Sequence, residues 1–125
     1  PVEEVLGDLA TIVPTGSVEE AVSGARVIVS RCGYNSSYTL LRAEAPIVFL
    51  PQISPCFEQL DRADGLKRID RVAVVREDSE DAEAELSMAV IAAMDQPHAA
   101  RKLPFSFDGA ERSAEWLLDR YEPTC

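Results

Sequence analysis

Apolar residues in this chain gather in short runs, and the stretches between the runs repeat with a helical period. Four runs stand out: Leu9–Val13, Val27–Ser30, Ile47–Leu50 and Val72–Val75. Each is short and rich in β-branched or aliphatic side chains, the pattern of strands buried on both faces. The intervening segments read as helices. Ser17 opens the first, with Glu20 three residues on as in a capping box, and Gly24 closes it. Asn35 and Ser36 are both suitable caps for the second. Ser54 as cap and Pro55 as first helical residue begin the third, which places Phe57, Leu60 and Ala63 on one side and Gly65 near its far end. Ser79–Met94 is the clearest helix, acidic in its first turns, with Ala82, Leu86, Ala89, Val90 and Ala93 at helical spacing. Asp108–Tyr121 is the last, with Ala110, Ala114, Leu117, Leu118 and Tyr121 on one face. Strands alternating with helices predict an α/β domain with a doubly wound parallel sheet of about four strands.

The centre of this pattern is the βαβ unit from Val27 to Gln52. Its first strand ends in Ser30-Arg31-Cys32-Gly33 and a helix starts at once. Gly33 permits positive φ and close backbone approach by a ligand. The next residues, Tyr34, Asn35 and Ser36, offer free N–H groups at the positive end of the helix dipole. Such a turn, at the carboxyl end of a parallel strand, is where an anion such as phosphate binds. Many βα turns carry a glycine and a cap and bind nothing, so the turn by itself leaves both readings open.

Composition narrows the classes. The chain has 125 residues, 46% hydrophobic and 27% charged, enough for one globular domain spanning 1–125. A net charge of −10 argues against nucleic acid and anionic membranes as partners, and favours solubility. Cys32, Cys56 and Cys125 are odd in number and widely spaced, and His98 is the single histidine. That set offers no zinc site and suits a reducing compartment. No apolar run approaches the ~20 residues a membrane span needs.

Familiar catalytic patterns are missing: there is no G-x-S-x-G, no P-loop and no H-E-x-x-H. One histidine in a loop makes a Ser-His-Asp or Cys-His arrangement improbable. Cys32 lies just before a helix N-terminus, where a thiol pKa can fall, and the alternative is a small side chain that fits beside Gly33. Cys56 has the same two readings. Glu58 and Gln59 follow a strand-ending loop and fall in the first turn of a helix, where they face the crevice above the sheet or, for Glu58, simply complement the dipole.

Taken together, the order of apolar strand, S-R-C-G-Y-N-S, helix, A-P-I-V-F-L-P and F-E-Q-L-D-R-A resembles the C-terminal, donor-binding domain of GT-B glycosyltransferases. Within these it is most similar to the family 28 type that includes the peptidoglycan N-acetylglucosaminyltransferases. The likeness runs from about Thr11 to Tyr121. It implies the Rossmann-like half of a GT-B fold, truncated at its N-terminal side, with the acceptor domain absent. By the resemblance, Gly33, Tyr34, Asn35 and Ser36 hold the donor phosphates, and Thr15 and Gly16 set backbone groups against the base. Thr39 stands where the family has a Glu gripping the ribose, and Glu58 and Gln59 contact the sugar. A threonine hydroxyl cannot make the charged, two-pronged contact of that Glu.

The function implied is the nucleotide-diphospho-sugar binding part of an inverting hexosyltransferase, with a UDP-sugar as donor. The catalytic base belongs to the acceptor domain or a partner chain, and neither cofactor nor metal is called for. The implied location is cytoplasmic, with peripheral membrane contact only through the acceptor domain. An alternative of another class is a non-catalytic nucleotide-binding module or a partner-dependent subunit of a two-chain glycosyltransferase. Sugar-nucleotide epimerases share the fold, but their acidic, glycine-containing donor loop has no counterpart here.

Overall fold

A computed structural model describes residues 16–53 and 55–121. In chain order the elements are α1 Val18–Val22, β1 Ile28–Ser30, α2 Tyr34–Leu41, β2 Ile47–Phe49, α3 Glu58–Leu66, β3 Val72–Val74, α4 Ala82–Met94 and α5 Gly109–Arg120. The fold is α/β: three parallel strands in the order β1-β2-β3, flanked by helices. Ile28, Ile47 and Val72 are in register across the sheet. The expected strand at Leu9–Val13 lies outside the described residues.

Alternation along the strands divides the core. On one face Ile28, Ile47 and Phe49 meet Leu40 and Leu41 of α2 and Ala63 and Leu66 of α3. On the other, Val48 and Val75 meet Ala93, with Leu86, Ala89 and Val90 of α4 packed around them. Helices therefore cover both faces, which is why the middle strand is apolar at every position. Val29, on β1, at one end of the described sheet, is left 48% exposed.

Sequence and structure agree on the first cap. Ser17 accepts the Glu20 N–H at 3.1 Å, and Gly24 takes the left-handed conformation (φ 77°) that ends α1. Other boundaries differ. Helix α2 begins at Tyr34 with Gly33 as its cap, two or three residues before the caps expected at Asn35 and Ser36. Gly33 has φ −66° and ψ 154°, so its capacity for positive φ goes unused. Helix α3 begins at Glu58, three residues beyond the Pro55 start, and Ser54 lies outside the described residues. Phe57 precedes the helix and is 61% exposed, off the core face it was expected to share with Leu60 and Ala63. The intervening backbone is held by side chains from elsewhere: Gln59 takes the Gln52 N–H and Glu77 the Ile53 N–H. Helix α5 forms where expected, yet Trp116, Leu117, Leu118 and Tyr121 are more than half exposed and no described element covers them.

The amino edge of the sheet is secured by two arginines. Arg71, 9% exposed and with φ 56°, donates to the carbonyls of Glu44, Pro97, Ala99 and Ala100. Arg101 donates to those of Ala43, Ala45 and Asp70. Burial pushes the Arg101 guanidinium down to about 10, with Arg71 adding to the effect and Asp70 opposing it. These bonds fasten residues 97–101 against the turn between α2 and β2.

Candidate functional site

The strands are parallel, so the loops after β1, β2 and β3 emerge along one edge, where α2 and α3 also begin. The first N–H groups of α2 have no intrahelical partner, and no side chain among the described residues caps them. Tyr34 and Asn35 are exposed and Ser36 is partly so. The dipole makes this end attractive to an anion. Two arginines belong to the same edge: Arg31, just after β1, and Arg62, one turn into α3 and beside Tyr34.

Arg62 lies 5.4 Å from the Tyr34 ring centre, pairs with Glu58, and donates to the Cys32 carbonyl at 2.7 Å. Arg31 reaches across the edge to Glu77 at 2.5 Å and to the Leu50 carbonyl at 3.2 Å. Arg31 and then the Ile53 N–H hold the Glu77 carboxyl below its ordinary range. Gln59 sits between the loops. Its Oε1 accepts from the Cys32 N–H at 3.2 Å and from the Gln52 N–H at 3.0 Å. Because both partners are donors, the amide orientation is fixed, and Nε2 makes no hydrogen bond among the described residues.

Cys32 is buried beneath this edge, 0% exposed, with Sγ 3.4 Å from the Ser37 hydroxyl. Burial raises its thiol pKa, outweighing the lowering by Ser37 and Arg62. The helix-terminus argument for an activated thiolate therefore loses to desolvation here. Cys56 is exposed and unpaired.

The structure thus brings the N-terminus of α2 (Gly33, Tyr34, Asn35, Ser36) and the first turn of α3 (Glu58, Gln59) to one edge. Thr39 lies further down α2. It lines a groove of about 310 Å³ with Tyr34, Asn35, Tyr38, Arg42 and Phe107. It also borders a second groove of about 410 Å³ toward the amino edge, beside Glu44 and His98. Glu44 lines that groove with it. His98 bonds the Arg26 carbonyl at 2.8 Å through Nε2. Gly16 is exposed ahead of α1, and Thr15 lies outside the described residues.

The first of these grooves is aromatic. Tyr34, Tyr38, Phe105 and Phe107 follow one another edge to face, with centroids 5.3 to 5.8 Å apart, and Arg42 sits 4.2 Å over Phe107. Sequence reasoning passed over Arg62 and Glu77. Arg62 is three residues beyond Gln59, on the same helical face. Glu77 follows β3, so the rule that sites gather at carboxyl edges would have found it.

Among the described residues no group of three or more His, Cys, Asp or Glu side chains is placed to hold a metal. No described helix is long and apolar enough to cross a membrane. No known protein family, curated protein or solved structure matches the chain.

Proposed function

We propose that this chain is the donor-binding part of a nucleotide-diphospho-sugar glycosyltransferase, with the Rossmann-like half of a GT-B fold. The observation that carries the reading is the carboxyl edge of the parallel sheet. There the N–H groups of Tyr34–Ser36, without a partner among the described residues, follow a turn whose Cys32 carbonyl is held by Arg62, in an otherwise acidic protein. A diphosphate leaving group gathers negative charge as the sugar departs, and oriented amides with a helix dipole stabilise that charge. The groove from Tyr34 to Phe107 continues from this point and offers aromatic surface and hydrogen-bonding groups to the rest of the nucleotide.

The carboxylates at this edge bear on catalysis. Glu58 is paired with Arg62 and Glu77 with Arg31, so each carboxylate is already engaged by a guanidinium. This favours a chain that binds the donor while another domain or a partner chain supplies the base. The test is a titration of the whole chain with UDP, followed by amide chemical shifts. The largest changes are expected at residues 33–36. Changes confined to the groove beside Glu44 and His98, or none, would refute the reading.

A further inference from the structure

The loop that presents these amides is not shaped by its own backbone. Strand β1 ends at Ser30, and Gly33 has an ordinary extended conformation that any residue can adopt. What fixes Cys32 and Gly33 is a set of side chains. Gln59 Oε1 takes the Cys32 N–H and Arg62 holds the Cys32 carbonyl. The Ser37 hydroxyl donates to the Gly33 carbonyl at 2.6 Å and touches Cys32 Sγ. Both backbone groups of Cys32 are therefore held from the first two turns of α3, immediately before the α2 amides that have no partner among the described residues.

We infer that Gln59 and Arg62 are positioning residues. They set the anion-accepting turn through Cys32, and Gln59 couples that turn to the loop after β2 through the Gln52 N–H. The inference rests on the donor-domain reading above. It assigns Gln59 a role different from a direct sugar contact, because the oxygen that would meet a sugar hydroxyl is already spent on two backbone donors. One oxygen shared by two loops also makes the coupling reciprocal: whatever orders one loop favours the bonded arrangement of the other.

The experiment uses the full chain and the variants Gln59→Met and Gln59→Glu. Pyrophosphate, UDP and UDP-N-acetylglucosamine are each titrated, and amide hydrogen exchange is recorded with Val48 as the reference for global opening. Gln59→Met should weaken all three ligands by a common factor of about ten, the scale of one or two hydrogen bonds. The Cys32 and Gln52 amides should exchange faster together by a similar factor. Gln59→Glu keeps acceptor oxygens and should restore protection of both amides. A loss confined to UDP-N-acetylglucosamine would overturn the inference in favour of direct sugar contact through Nε2. Faster exchange with unchanged affinity for every ligand would reduce Gln59 to a brace without a part in binding, which also overturns it. If the unaltered chain binds none of the three ligands, the donor-domain reading falls and positioning for an anion falls with it. The loop coupling then stands or falls on exchange alone, and acceleration of only one of the two amides would sink it.

Discussion

Replacing Arg71 tests how the amino edge is held, and its magnitude can be worked from the contacts. Arg71→Ala takes a charged donor from the carbonyls of Pro97, Ala99 and Ala100, while the Glu44 carbonyl keeps the Ala99 N–H. A hydrogen bond to a charged group is worth roughly 1.5–3 kcal/mol. Here water can replace part of it, because residues 97, 99 and 100 are exposed, and relief of the buried guanidinium offsets more. About 1 kcal/mol per carbonyl is a reasonable net, giving a loss of about 3 kcal/mol for Arg71→Ala. Residue 71 also sits at φ 56°, where a Cβ costs roughly 1–2 kcal/mol. Arg71→Gly removes the same bonds but relieves that strain, so it should be more stable than Arg71→Ala by about 1 kcal/mol. Urea denaturation of both variants, with equal m-values, measures the two differences. A loss below about 1 kcal/mol for Arg71→Ala would show that these bonds contribute little net stability. Arg71→Gly at or below Arg71→Ala in stability would refute the strain argument.

Other expectations concern single groups. Cys32 should resist iodoacetamide in the folded chain and react on unfolding, whereas Cys56 reacts at once; peptide mapping separates them, and early labelling of Cys32 would contradict its raised pKa and burial. The Glu77 carboxyl is depressed, so the bonded state of Ile53 N–H should persist as pH falls past the ordinary value of 4.5 and be lost only below it. A midpoint for the Ile53 amide shift at or above 4.5 would remove that pairing. Phe107→Ala opens the aromatic groove and should weaken UDP several-fold while leaving pyrophosphate unchanged; equal effects on both would exclude the groove from nucleoside binding. Ending the chain after Asp108 should cost less than about 1 kcal/mol in urea, since α5 buries no residue; a larger loss would show that the helix stabilises the domain.

The strands at Ile28, Ile47 and Val72, the capped α1 and the βαβ order were legible because each rests on a local pattern: apolar runs, a Ser-x-x-Glu box, a terminating glycine. The side chains that join distant loops were not. Arg71 reads in the sequence as an ordinary cation beside Asp70, with no signal of its left-handed backbone or its grip on residues 97–100. The start of α3 was misjudged for a related reason. Ser-Pro is a sound helix opening, but the backbone there is taken by Gln59 and Glu77 from seven and twenty-four residues away. Gln59 itself was found by position, while its two bonded amides lie in loops that no periodicity brings together.

These misses share a cause. Each strand is only three residues long, so the ladder supplies few hydrogen bonds and stops before the loops begin. Loop geometry then depends on side chains reaching backbone groups, and the two edges solve that differently. The amino edge uses guanidiniums caged by carbonyls, that of Arg71 buried and that of Arg101 partly so. The carboxyl edge uses Arg31–Glu77, Gln59 and Arg62, with Arg31 half exposed and Arg62 largely covered. An incoming anion can exchange partners with the exposed pair at small cost, because a surface ion pair is worth no more than about 1 kcal/mol. It cannot do so with the caged pair at the other edge. Adaptable contacts belong where a ligand must enter, and by that criterion the carboxyl edge, with Tyr34–Ser36 at its centre, is the side of the sheet able to respond to an anion.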